Sequence, residues 1–257
     1  NIVKQLQASN FLPQTPIIKI KKHPIYLTQK KLDEFIDYHS KEPKNKHLKY
    51  YNLGPTIPGE GEIKVIKRLK KNAKKSFKES HLIIGNDADL VIIASMANVN
   101  NIHVGIQQKG LTVMNIDKIC QLHFKSFLNN EMGFRLKNDF GFLSLFLGND
   151  YFPKMQAVKQ EYIWKAYQAS HHKYKYPLIN NKGEIDRNKL LYILSSLSYK
   201  VIKGYRTVNT KYIDPKKGLC RDYMKALCWC ALMYQTGECP EEQFIYHHRK
   251  SPKPVEL

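Results

Sequence analysis

The stretch His81-Leu-Ile-Ile-Gly-Asn-Asp-Ala-Asp-Leu-Val-Ile-Ile-Ala94 places two aspartates between two short apolar runs. The first run, residues 81–84, predicts a buried strand, whereas residues 90–94 are compatible with a strand or a helix. Residues 102–107 predict a further strand. Strands and helices that alternate over short connections indicate a parallel sheet covered by helices, so the sequence predicts an α/β fold. Ligands of such sheets collect beyond the carboxyl ends of the strands, where both aspartates are expected.

Three short motifs group carboxylates in this way. They are Glu60 and Glu62 in Pro58-Gly-Glu-Gly-Glu62, Asp87 and Asp89 in Gly85-Asn-Asp-Ala-Asp89, and Asp150 in Gly148-Asn-Asp150. Hard cations such as Mg²⁺ prefer oxygen ligands, so the three motifs together predict a metal site. Each motif alone also has a structural interpretation, because glutamates favour the positive end of a helix and aspartates favour turns.

The overall composition points to a polyanionic partner. The chain has 257 residues, 42% of them hydrophobic, and a formal net charge of +20. A hydrophobic content of this size supports genuine cores, and the positive field attracts nucleic acid, although a ribosomal-type scaffold remains an alternative. Lys64 and Lys67 follow the glutamates on a predicted helix and are candidate phosphate contacts, or else solvated surface lysines.

The five cysteines show no zinc-ligand spacing, and their odd number predicts free thiols in a reducing compartment, the cytoplasm or the nucleus. No run is long and apolar enough to span a bilayer, which predicts no membrane partner. The first residue is not methionine and no signal-peptide pattern follows it, so we expect a fragment. The frequent Lys, Asn, Ile and Tyr suit an AT-rich genome, and a viral origin is a hypothesis.

Hydrophobic periodicity predicts several helices and two regions. Residues 28–37 and a segment from Glu62 show helical spacing, and residues 48–53 have strand composition. Further helices are predicted over 115–127, 138–146, 161–170, 187–197 and 220–234. The helix over 138–146 should lie in the core, and we expect Asp150 beside its buried end, where a bare carboxylate is costly without a cation. Composition shifts near residue 155, which predicts a sheet-containing region over 1–155 and a mostly helical region over 156–257.

Three runs of sequence resemble the signatures of the Xrn-type 5′→3′ exoribonucleases. They are Pro58-Gly-Glu-Gly-Glu-Ile-Lys64, His81 to Leu90, and Asp139-Phe-Gly-Phe-Leu-Ser-Leu-Phe-Leu-Gly-Asn-Asp-Tyr-Phe-Pro153. The segment Ala8–Thr15 is similar to the one that precedes the family's long helix. Residues 218–229 and Tyr246-His247 resemble the family's second conserved region. The resemblance therefore extends over nearly the whole chain.

The resemblance implies a PIN-like nuclease core that removes nucleotides one at a time from 5′-monophosphorylated single-stranded RNA. It implies that Glu60, Glu62, Asp87, Asp89 and Asp150 bind two Mg²⁺ or Mn²⁺ ions. Two such ions can orient a water and stabilise the charge that develops on phosphate. Lys64, Lys67, Tyr246 and His247 are the candidate RNA-binding residues.

The chain also departs from the family pattern. The family carries two more metal-binding aspartates and a 5′-phosphate pocket in an amino-terminal portion that would precede residue 1, so we expect that a preceding segment or a separate chain completes the site. The terminal motif has Pro240, Glu241, Glu242 and Gln243 where the family places tryptophans. Because stacking is worth ~1–3 kcal/mol per base, Phe244 or Tyr246 would have to substitute, or base clamping is weaker.

Two other functions remain open at this point. A flap-endonuclease-like DNase shares the acidic core, although the Gly-Glu-Gly-Glu form argues against it. A nucleic-acid-binding or scaffold subunit with a relict nuclease site would bind in a salt-sensitive manner without metal-dependent turnover. Retention of all five acids favours an active enzyme.

Overall fold

The computed structural model describes residues 24–54, 57, 59–73, 79–107, 110–123, 133–180, 182–204 and 217–257. The chain divides into two compact units, residues 1–61 and 62–257. The region boundary predicted near residue 155 stays a prediction. The predictions for Ala8–Thr15, and for the ends of two helices at residues 74–78 and 124–127, lie outside the described residues.

The first unit contains helix α1, Pro24–Ser40, and a short 3₁₀ turn at Pro43–Asn45. The helix confirms the prediction over 28–37. Its apolar residues Leu32 and Phe35 are exposed, Phe35 by 54%, so the apolar spacing does not correspond to burial here. The strand predicted over 48–53 is wrong, because residues 48–54 form no regular element. Side chains in this segment such as Tyr51 are exposed. Residue types that favour strands form one only where they can pack against a neighbouring strand.

The second unit starts with helix α2, Gly61–Ala73, which buries Ile63 and Ile66 as the apolar spacing predicts. Strand β1, His81–Ile84, leads through helix α3, Asp89–Met96, to strand β2, Ile102–Gln107. The two strands pair in parallel, as predicted. The ambiguous run 90–94 is a helix.

Strand β3, Leu111–Asn115, pairs antiparallel with β2 and was not predicted. The described sheet has the order β1-β2-β3 and is mixed, which corrects the expectation of a purely parallel sheet. The fold is therefore α/β with a small mixed sheet and many helices. The PIN-like arrangement stays a prediction.

The two faces of this sheet differ in burial. Ile83 and Val104 lie on the face that contributes to the core. On the other face, the register aligns Leu82 with His103 and aligns Ile84 with Gly105 and Val113. Leu82, Ile84 and Val113 are 51%, 60% and 49% exposed. The prediction of a fully buried first strand is wrong for this face, which we call the open sheet face.

Helices make up most of the remaining second unit. They are α4 at Ile116–His123, α5 at Gly133–Ser144 followed by a 3₁₀ turn at Leu145–Leu147, α6 at Gln160–Lys173, α7 at Arg187–Gly204 and α8 at Lys217–Thr236. Each overlaps a predicted helix. The Asn115 side chain accepts a hydrogen bond from the Lys118 amide at 2.9 Å and caps α4. The core includes Phe142, Phe146 and Tyr223.

A buried polar network, which was not predicted, holds α5 in place. The Asp139 carboxylate accepts hydrogen bonds from the Tyr167 hydroxyl at 2.5 Å and from the amides of Leu178 and Ile179 at 2.6 and 2.9 Å. Burial raises its pKa to about 6, while these donors oppose the rise. Lys189 is also fully buried, and desolvation lowers its pKa to about 8. This network anchors the helix that leads into Gly148-Asn-Asp150.

All five cysteines are free, as predicted, and Cys120 and Cys230 are buried. Burial raises the pKa of the Cys120 thiol to about 12, so this thiol stays protonated. Across the described part of the chain, no helix has the length and apolar character needed to cross a bilayer.

Candidate functional site

The first pair of aspartates follows β1 at the carboxyl end of the strand, as predicted. The Asp87 Oδ1 atom accepts a hydrogen bond from the Asp89 amide at 2.9 Å, so this carboxylate shapes the turn that opens α3. Asp87 is exposed and Asp89 is half-buried. Oδ2 of Asp87 has no hydrogen-bond donor among the described residues and is able to accept a further ligand.

The second acidic loop follows α5 and its 3₁₀ turn. Gly148 has φ 82° and ψ 165°, and a Cβ there would lie 2.4 Å from the Lys154 nitrogen, so only glycine fits. The Asn149 Oδ1 atom accepts hydrogen bonds from the amides of Tyr151 and Phe152 at 3.0 and 3.2 Å. Asp150 itself is exposed. The expectation that Asp150 lies in a buried environment is therefore wrong, because the loop turns its carboxylate to solvent.

Both acidic loops contact the last turns of α8. The Asn149 Nδ2 atom donates to the Cys230 sulfur at 3.1 Å, and the Tyr234 hydroxyl donates to Asp89 Oδ2 at 3.3 Å. Cys230 and Tyr234 are four residues apart and share one face of the helix. Burial, followed by the nearby Cys230 and Asp89, raises the pKa of Tyr234 far above its usual range, so the hydroxyl remains a donor. Two loops from distant parts of the sequence thus meet one helix.

The third motif is connected to the same end of α8 through α2. The Lys70 ammonium donates to the Gln235 carbonyl at 2.6 Å, and Lys67 pairs with Glu238 at 3.1 Å. Gly237, with φ 73°, approaches the α2 backbone so closely that a Cβ would lie 2.7 Å from the Lys67 nitrogen. Glu62 lies half-buried in the first turn of α2. Glu60 belongs to the first unit and is exposed.

The candidate metal ligands were tested for their fit to a cation. All five are carboxylates, which are the donors that Mg²⁺ and Mn²⁺ prefer. Within the ranges that the structure describes, however, no three His, Cys, Asp or Glu side chains form a group able to hold a metal ion. The donor chemistry fits a hard cation, but the described residues do not complete a metal site.

The candidate RNA-binding residues fall in two places. Lys64 is half-buried on α2, and Lys67 forms the exposed pair with Glu238, which is typical of a surface interaction worth ~0–1 kcal/mol. Tyr246 and His247 line a cleft of about 230 Å³ in the carboxy-terminal segment, together with Lys225 and Phe244. Burial raises the pKa of Tyr246 to about 12, and its hydroxyl donates to the Lys250 carbonyl at 2.9 Å. His247 is exposed.

Comparison with known families gives one match. The model described as XRN 5′-3′ exonuclease N-terminus matches residues 18–106, about a third of the chain. Residues 18–106 are therefore similar to the amino-terminal part of the Xrn-type exoribonucleases. The match contains the first two acidic motifs, whereas the Xrn-type resemblance of Asp150 and of residues 218–257 still rests on the sequence motifs. No curated protein matches the chain.

Several residues that position the acidic loops were not predicted from the sequence. Cys230 and Tyr234 read as apolar positions of an ordinary helix, because hydrophobic spacing does not reveal which side chain meets a distant loop. Gly237 was predictable, because a glycine just after a helix is typical of a left-handed helix terminus. Lys67 is a predicted RNA contact and Lys70 is not, and each of the two binds the segment at the end of α8.

Proposed function

We propose that this chain is a divalent-metal-dependent 5′→3′ exoribonuclease that degrades 5′-monophosphorylated single-stranded RNA. The observation that carries the proposal is the meeting of the two acidic loops at Cys230 and Tyr234 of α8, in a chain whose residues 18–106 are similar to the Xrn-type exoribonucleases. The net charge of +20 supports a nucleic-acid substrate, because a basic field attracts the phosphate backbone.

The residues proposed to hold Mg²⁺ or Mn²⁺ are the five motif carboxylates Glu60, Glu62, Asp87, Asp89 and Asp150. When bound, a pair of ions supplies positive charge at the scissile phosphate and lowers the pKa of water. Since the described residues gather no group of three donors, we propose that further ligands come from an amino-terminal segment or a separate chain.

The open sheet face supports the proposal of an additional segment. Parallel strands occur almost only in sheets whose two faces are both covered, yet Leu82 and Ile84 of the parallel strand β1 are mostly exposed. In the described sheet β1 is an edge strand, and its unpaired backbone groups can accept another strand. A polypeptide that adds a strand to this edge and packs a further element against the open sheet face would cover both and bring ligands to the carboxyl end of β1.

Lys64, Lys67, Tyr246 and His247 are proposed to contact RNA. The cleft beside Tyr246 presents aromatic rings whose flat faces suit the bases of single-stranded nucleic acid. Its lysine, Lys225, is paired with Glu241 at 3.0 Å and Asp222 also lines the cleft, so stacking and not charge supports RNA contact here. Lys67 would have to leave Glu238 to bind a phosphate, which costs little because both side chains are 65% exposed.

The test is hydrolysis of end-labelled single-stranded RNA carrying a 5′-monophosphate, a 5′-hydroxyl or a 5′-triphosphate, with Mg²⁺, Mn²⁺ or a chelator. We expect release of mononucleotides from the monophosphorylated RNA only with metal present. Asp89→Asn and Asp150→Asn should each abolish release, whereas Glu161→Gln, which changes an exposed acid on α6, should not. The same assays on a protein extended at its amino terminus test the additional segment.

A non-catalytic RNA-binding subunit is the second candidate, because a chain with a net charge of +20 can bind RNA through charge alone. This function predicts salt-sensitive RNA binding and no metal-dependent release, even with the extended protein. Cleavage of a branched DNA flap in preference to single-stranded RNA would instead indicate a flap-endonuclease-like DNase.

A further inference from the structure

The end of α8 contains a buried hydroxyl aimed at a candidate catalytic carboxylate. Tyr234 is 2% exposed, and its hydroxyl donates to Asp89 Oδ2. The hydroxyl presents a hydrogen-bond donor to one oxygen of Asp89 and limits the orientations that this carboxylate adopts.

One turn earlier, Cys230 fixes the other acidic loop. It is fully buried, and its sulfur accepts a hydrogen bond from Asn149 Nδ2. The remaining groups of Asn149 are used within the loop, where Oδ1 accepts from two amides and the backbone N–H donates to the Phe152 carbonyl at 3.1 Å. Every polar group of Asn149 except its carbonyl is thus committed to shaping the loop that carries Asp150 or to joining it to α8.

Cys230 and Tyr234 lie four residues apart on one face of α8. Asn149 contacts the first and Asp89 contacts the second, so both acidic loops are attached to neighbouring turns of one helix. A helix is a rigid element, so two loops attached to neighbouring turns keep a constant separation.

We propose that Cys230 and Tyr234 are positioning residues that hold the Asp89 and Asp150 loops in register for the reaction. This inference rests on the proposed function and deepens it. Carboxylates repel one another, and a site that must keep several of them together needs groups outside the ligand set to fix their orientation. Neither residue is assigned contact with RNA or with the reacting atoms.

The first test compares Tyr234→Phe with Tyr223→Phe, a buried tyrosine on the same helix that packs against Phe152 and Tyr246. Tyr234→Phe should lower kcat on monophosphorylated RNA roughly 10- to 100-fold and raise the Mg²⁺ concentration needed for half-maximal rate, as loss of an outer hydrogen bond to a ligand does. KM for RNA and the melting temperature should match those of Tyr223→Phe. Equal rates for the two variants would overturn the proposal.

A parallel pair tests the other residue. Cys230→Ala removes the acceptor of Asn149, whereas Cys228→Ala changes an exposed cysteine on the same helix. We expect a loss of kcat only for Cys230→Ala. If both variants retain the wild-type rate and metal dependence, Cys230 has no positioning role.

A measurement without catalysis separates this inference from the proposed function. Amide chemical shifts of residues 86–90 should change in Tyr234→Phe, and those of residues 148–152 should change in Cys230→Ala. Residues 86–90 should stay unchanged in Tyr223→Phe, and both segments should stay unchanged in Cys228→Ala. If the wild-type protein hydrolyses no RNA but these shifts change, the proposed function fails and the connection between the loops stands. Unchanged shifts in both loops would contradict the connection whatever the activity.

Discussion

Gly237 and Gly148 show how single positions determine where the acidic loops lie. Both have positive φ, and at both a Cβ would approach a backbone atom to less than 3 Å, Lys67 in one case and Lys154 in the other. Only glycine combines this conformation with this approach. The carboxylates themselves contribute little to their own placement, since Asp150 is exposed and Asp87 bonds only within its turn.

Substitution of Gly237 should therefore destabilise the second unit more than substitution of a glycine that has a similar positive φ but no close neighbour at its Cβ position. Gly183 is that control, with φ 81° and its nearest neighbour, Gln235 Oε1, 3.9 Å from a built Cβ. Gly183→Ala should lower the unfolding free energy by roughly 1–2 kcal/mol. Gly237→Ala should lower it by about 3 kcal/mol or more, because α2 must also move. Urea titrations of both variants measure the difference, and equal losses would contradict the close approach.

Asp139 makes stability depend on pH. Its pKa is raised in the folded protein from 3.8 to about 6, mainly by burial. A carboxyl with a raised folded pKa stabilises the fold fully below its unfolded pKa and loses that contribution as pH rises through the folded value. From this group alone, the unfolding free energy should fall by about 3 kcal/mol in total between about pH 3 and 7, taking ~1.4 kcal/mol per pKa unit.

Asp139→Asn should lack this component of the pH dependence. Urea titrations of both proteins from pH 4 to 7 measure it as a difference in slope, and parallel curves would contradict a raised pKa. A ¹³C carboxyl titration of the wild-type protein gives an independent value if the variant fails to fold. Substitution also leaves the Leu178 and Ile179 amides without a carboxylate acceptor, so the variant should be less stable at neutral pH.

At the scale of elements, truncations on the two faces of the sheet should have opposite effects on stability. Ile83 and Ile84 are adjacent on β1, and they are 6% and 60% exposed. Ile83→Ala should destabilise by roughly 2–5 kcal/mol, as core truncations do, whereas Ile84→Ala should change stability by no more than about 0.5 kcal/mol. Thermal unfolding of the two variants tests the assignment, and a large loss for Ile84→Ala would show that its face is covered in the isolated chain.

The same pair tests whether a polypeptide covers the open sheet face. In a protein extended at its amino terminus, or in a complex with a second chain that binds β1, Ile84→Ala should become as destabilising as other core truncations. Hydrogen exchange of the β1 amides should slow at the same time, because a new strand pairs with this edge. Unchanged exchange would place the additional segment elsewhere.

For the molecule as a whole, the charge of +20 predicts binding to RNA that weakens steeply with salt. Each phosphate neutralised on a single strand adds about 0.7 to the slope of log affinity against log salt, so about three contacts cost roughly 20-fold in affinity between 50 and 200 mM salt. Fluorescence anisotropy with a labelled oligonucleotide measures this slope. An uncharged methylphosphonate analogue serves as the control, and equal affinity for both ligands would rule out backbone recognition.

Hydrophobic spacing predicted α2, α5, α6, α7 and α8 and the parallel pair of β1 and β2, because such patterns are local consequences of burying one face. The same reasoning failed for residues 48–53 and for β3. A strand forms only where another strand offers hydrogen bonds, and composition does not specify that neighbour. Glu60, Glu62, Asp87, Asp89 and Asp150 were singled out because acids are conspicuous in a basic chain, and their role as ligands stays a prediction.

The linear chain was enough to establish which residues carry the charge, where most helices run and which family motifs are present, since these depend on residue type and short-range spacing. Folding alone decided that Asn149 meets Cys230, that Asp89 meets Tyr234 and that Asp139 lies buried beneath two backbone amides. Such pairs are up to 145 residues apart in sequence. Their contact depends on how helices pack around a shared core, and no local pattern encodes that arrangement.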